Sequence, residues 1–110
     1  MHLSNEAILS QLGFNPTQTV LKELELIIQN TKDFSKISKH IVDLNEHLKH
    51  YSSFVSMSSS YEYFKIKNMQ TTASGIEEVN NLIYKWADKY KVELEKVSKK
   101  ETFYITGFKS

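Results

Sequence analysis

His40, Asp43, His47 and His50 recur at intervals of three, four and three, the spacing that lines side chains along one face of a helix. Imidazole and carboxylate are metal ligands, and neighbours at i,i+3 or i,i+4 can share one ion. From His40 to His50, however, is about 15 Å of helix at ~1.5 Å per residue. One ion could take only two adjacent members, and the chain has neither cysteine nor a His-Glu-x-x-His pair to complete the set. The stripe is therefore read as a solvated polar flank, and no metal or other cofactor is expected.

Two further constellations bear on chemistry. Met69-Gln70-Thr71-Thr72-Ala73-Ser74-Gly75 joins an expected strand to a helix N-terminus, where free backbone N–H groups can hold an anion. A phosphate loop needs Gly-x-x-x-x-Gly-Lys-Ser/Thr, and Gly75 alone is present, so the segment reads as a capped helix start. Tyr61, Tyr63, Lys65 and Lys67 fall on one face of an expected strand, with Tyr104 and Phe108 on one face of the last. Bases stack on such a platform for about 1–3 kcal/mol each, which makes these residues the candidate nucleic-acid site. Glu62, Glu93, Glu95 and Glu101 offset the lysines nearby. No Gly-x-Ser-x-Gly turn exposes a serine nucleophile, and no enzymatic activity is expected.

Composition narrows the functions further. All fourteen strongly basic side chains are lysine, with no arginine, so the fork that grips phosphate and reads guanine is absent. A net charge of +1 gives no long-range field toward nucleic acid or an anionic membrane. The absence of cysteine rules out thiol nucleophiles and disulfides. No apolar run approaches the ~18 residues of a membrane span, and the first residues lack a leader pattern, so a cytoplasmic location is expected.

The elements that must position these residues follow from caps and periodicity. Ser4 caps a short helix over residues 5–12, with Leu3 placed to staple onto Ile8. Gly13 and Phe14 make its Schellman end. Asn15 as cap and Pro16 at the first position open a second helix, which Val20, Leu21, Leu24, Ile27 and Ile28 carry to about residue 31. A third follows with Phe34, Ile37, Ile41, Leu44, Leu48, Tyr51 and Val55 at alternating three- and four-residue steps, a heptad seam. Six serines in residues 52–60 break it into a docked loop. Residues 61–67 read as a strand, and Ser74-Gly75-Ile76-Glu77 as a capping box opening a helix to Tyr90. Residues 91–95 and 101–106 read as a hairpin about Ser98-Lys99-Lys100.

The expected fold is α+β in one domain, residues 1–110. A helical hairpin preceded by a short helix (residues 1–58) leads into a β-α-β-β unit (59–110) with a small three-stranded sheet. The expected function is that of a small non-enzymatic cytoplasmic binding protein, an adaptor, inhibitor or accessory regulator. It would act by protein–protein contact with a partner or as a homodimer. The candidate interface is Leu48, Tyr51, Phe54 and Val55, where the seam meets the serine loop and coverage is expected to be incomplete. The alternative is a nucleic-acid-binding regulator using the Tyr/Lys face, the less favoured partner; a membrane is not expected.

Overall fold

The computed structural model describes residues 4–58 and 61–109. It is α+β: helices α1 (Asn5–Gln11), α2 (Gln18–Asn30), α3 (Ser38–Leu48) and α4 (Ala73–Tyr90), with strands β1 (Phe54–Met57), β2 (Phe64–Lys67), β3 (Val92–Lys96) and β4 (Thr102–Phe108). The strands form one antiparallel sheet in the order β1-β2-β4-β3. This corrects the expected three strands. The fourth is Phe54-Val55-Ser56-Met57, from the serine-rich stretch read as a loop, so the second half is β-β-α-β-β. β2 and β3 run parallel with β4 between them, and α4 makes the crossover.

Local signals set most boundaries. Ser4 Oγ accepts from the Ala7 N–H at 3.1 Å. Gly13 has φ +88°, and the Gly13 and Phe14 N–H groups bond back to Ser10 and Leu9, closing the Schellman turn. The Leu3 staple lies outside the described residues. Two expected caps move. Thr17, not Asn15, caps α2 by accepting from Val20 N–H at 3.3 Å, with Pro16 one residue before the cap. Thr72, not Ser74, caps α4 by accepting from Gly75 N–H at 3.0 Å. In each case a competing hydroxyl stands nearby in sequence, and the extended backbone at Thr17 and Thr72 suits a cap.

The expected third helix is three pieces. Phe34–Lys36 and Lys49–Tyr51 are 3₁₀ turns flanking α3, and Ser52 in the left-handed region (φ 56°) swings the chain into β1. Nor do α2 and α3 meet through a simple hairpin turn. Their connection runs along β4, where Lys32 N–H donates to Thr106 and Phe108 N–H to Lys32. α1 packs against both helices.

The core is continuous from Ile8 to Ile105. Helices approach the sheet from the side bearing Val55, Phe64, Ile66, Phe103 and Ile105: Phe34 stacks on Phe64, and Tyr84 of α4 meets Phe103 edge-on. Trp86 Nε1–H donates to the His40 carbonyl at 3.1 Å, tying α4 to α3. Asn68 fixes the β2–α4 connection: its amide donates to the Ile76 carbonyl and to Asn80 Oδ1, while its Oδ1 accepts from Gln70 N–H. Asn80 in turn donates to Glu101.

Candidate functional site

Alternation along the strands sends a second set of side chains to the sheet face away from the helices. Register places Ser56, Lys65, Tyr104 and Glu95 on one rung across all four strands, with Phe54, Lys67 and Thr102 on another. Tyr63 precedes Lys65 by two residues and joins the same face. On it Phe54 and Glu95 are exposed, Ser56, Tyr63, Lys65, Lys67 and Tyr104 half-buried, and Thr102 buried.

Three tyrosines gather there. Tyr61 meets Tyr104 edge-on at 5.3 Å between ring centroids, and Tyr63 lies 6.2 Å from Tyr104. Tyr61 is 61% exposed. With Glu95, Lys96, Val97 and Ser98 they line a hollow of about 470 Å³. Lys65 and Lys67 stand on β2 and Glu93 and Glu95 on β3, with β4 between them; Lys96 at the end of β3 also lines the hollow, its ammonium donating to the Lys100 carbonyl at 3.1 Å. Thr106 hydroxyl approaches both the Glu93 carbonyl and Glu93 Oε1 at 3.1 Å, which holds that carboxylate on this face.

The alternation slips once. Thr106 and Gly107 together oppose Glu93, a β-bulge. Phe108, expected on the same face as Tyr104, is turned by it to the core side, paired with buried Val92 and beneath the Lys36 ammonium at 5.0 Å.

Tyr61, Tyr63, Lys65 and Lys67 are thus brought together, and Tyr104 completes the cluster. Leu48, Tyr51, Phe54 and Val55 are not. Leu48 is 0% and Val55 2% exposed, both in the core; Tyr51 is half-buried, and Phe54 alone of the four is exposed, on the rung with Lys67. The seam is therefore covered at Leu48 and Val55, where α3 lies along β1 and Asn45 Oδ1 accepts from the Val55 N–H at 2.9 Å. The strand that covers the seam is the one the serine-rich sequence concealed.

The histidine stripe divides. His40 stacks on Tyr90 of α4 with centroids 3.8 Å apart, whereas His47 and Asp43 line a groove between α3 and α4 with Lys85 and Lys89 opposite. Among the described residues no three His, Asp or Glu side chains are grouped to hold an ion. A second groove, between α2 and the β1–β2 end of the sheet, is bordered by Phe14, Leu26, Met57 and Tyr61. Sequence periodicity missed it, because its residues come from four separate segments.

Among the described residues, no helix is long and apolar enough to cross a membrane. Compared with protein-family models, curated proteins and solved structures, the chain finds no match.

Proposed function

We propose that this chain is a small non-enzymatic binding protein of the cytoplasm, working by protein–protein contact through the open face of its sheet. The observation that carries the reading is the Tyr61/Tyr63/Tyr104 cluster on the side away from the helices. Tyrosine supplies large contact area with a polar tip at low conformational cost, which is why it anchors interfaces. The mixed lysine and glutamate border suits a protein surface of equally mixed charge. The contact region moves from the seam end, where Leu48 and Val55 are core, to the sheet face, which keeps Phe54 from the first candidate set.

The test is affinity capture from the cell with the intact tagged chain, comparing wild type, Tyr104→Asp and Glu78→Lys, the last on the exposed outer side of α4. The expected outcome is a discrete partner or self-association lost in Tyr104→Asp and kept in Glu78→Lys, with both variants folded by circular dichroism. Equal capture by all three would defeat the reading.

A second reading, single-stranded nucleic acid on the same face, draws on Lys65 and Lys67 beside the tyrosines. Against it stand Glu93 and Glu95 on β3, the missing arginine and the small net charge, which leave little counterion release. Fluorescence anisotropy with a mixed single-stranded oligonucleotide at about 0.15 M salt decides between them. Submicromolar binding that weakens steeply with salt would put nucleic acid first.

A further inference from the structure

Resting on the reading of the open face as a contact surface, we infer that its partner is a second copy of this chain, packed face to face about a two-fold axis along β4. The argument is charge complementarity. β2 carries Lys65 and Lys67, β3 carries Glu95 with Glu93, and β4 lies midway with Tyr104; Lys96 of β3 pairs with core-side Phe103 and its ammonium donates to the Lys100 carbonyl. Each neighbour is one strand spacing from β4, about 4.8 Å. Rotation by a half turn about an axis along β4, in the plane of contact, carries β2 of one copy over β3 of the other. Lys65 then faces the partner's Glu95, and Glu95 faces the partner's Lys65, on either side of the two Tyr104 rings. A two-fold contact must be self-complementary in this way.

The alternative in-plane axis, across the strands, would set Lys65 over Lys65 and Glu95 over Glu95. The charge layout therefore selects one orientation, with the two β4 strands running in the same direction. Within one chain Lys65 and Glu95 are two strands apart, and neither has an ion pair or side-chain hydrogen bond among the described residues. Their charges are available to a partner. The face is small: strands of four, four, five and seven residues present roughly 300 Å² per copy at ~4.8 Å between strands and ~3.3 Å per residue. Doubled, that lies well below the ~1,200 Å² at which stable interfaces begin, so orientation rests on the charges and the dimer is weak and transient, with Kd on the order of 0.1 mM.

Sedimentation equilibrium on the intact chain from about 5 µM to 1 mM, a range bracketing that affinity, gives the test. Wild type should dimerise, and Lys65→Glu and Glu95→Lys alone should each weaken association by about tenfold or more, since like charges then meet twice across the axis. An equimolar mixture of the two variants should recover near-wild-type dimer, because both cross pairs are opposite in sign in the heterodimer. Wild-type dimerisation should also weaken several-fold between about 0.05 and 0.5 M salt, which needs no variant to fold. Monomeric wild type at the highest concentration, undiminished association in either variant, or no gain on mixing would overturn the inference. Monomeric wild type together with Tyr104-dependent capture of another protein would sink the dimer alone. No dimer and no Tyr104-dependent capture would remove the contact-surface reading with it.

Discussion

Thr31 is 3% exposed, and its hydroxyl finds no hydrogen-bond partner among the described residues. A buried polar atom without a partner keeps its desolvation cost, so an isosteric apolar side chain should serve better. Thr31→Val should leave stability unchanged or raise it by up to about 1 kcal/mol in urea denaturation. A clear loss would show that the hydroxyl is used. Asn45 is the opposite case. It is 2% exposed, and its Oδ1 satisfies the outward N–H of Val55 on edge strand β1. Asn45→Ala should cost about 1–3 kcal/mol, because the amide proton is then buried unpaired. An unchanged denaturation midpoint would mean that water reaches that edge. At this scale the candidate face was legible in part: Tyr61, Tyr63, Lys65 and Lys67 stand out by residue type and alternation. Alternation also offered Tyr104 with Phe108; what it could not show is the pairing that sets Tyr104 beside Tyr61 and Tyr63, or the bulge that turns Phe108 away.

Among the elements, β4 depends on one close approach. A Cβ placed on Gly107 would lie 2.8 Å from Lys32 Cβ and 3.1 Å from the Lys32 nitrogen. Backbone bridging there joins the α2–α3 connection to the sheet, so the chain cannot yield by a side-chain rotation alone. Gly107→Ala should destabilise by about 1–3 kcal/mol, read as a lowered midpoint, through overpacking. Wild-type stability in this variant would mean that the Lys32 bridge is dispensable. The same scale shows where sequence reading stops. α1 carries its own signals at both ends, Ser4 and Gly13, and the β3–β4 hairpin its own turn, so each is recognisable locally. β1 has only Phe54-Val55-Ser56-Met57 among many serines, and it becomes a strand because β2 pairs with it and α3 covers it. The heptad steps were real as a list of apolar residues: Phe34, Ile37, Ile41, Leu44, Leu48 and Val55 are all buried. They were not one helix. A 3₁₀ turn and a strand delivered the two ends of the seam to the same core, and spacing alone does not report what lies opposite.

For the whole molecule, the helices occupy one side of the sheet and leave the other to Tyr61, Tyr63 and Tyr104 with their lysine and glutamate flanks. That division is the basis of the proposed function: of the seam end first singled out, Leu48 and Val55 are core, Tyr51 is half-buried, and Phe54 is exposed on the sheet face itself. The groove between α3 and α4, with Asp43 and His47 facing Lys85 and Lys89, is the natural competitor as a contact surface. Site-specific photo-crosslinking in the living cell separates the two most directly. A photoreactive residue is placed at position 61 or 65 on the sheet face, or at position 47 or 85 in the helical groove, in the otherwise intact chain. The sheet-face account predicts discrete protein adducts, self-adducts included, from 61 and 65 and none from 47 and 85. Adducts from 47 and 85, with 61 and 65 silent, would contradict it.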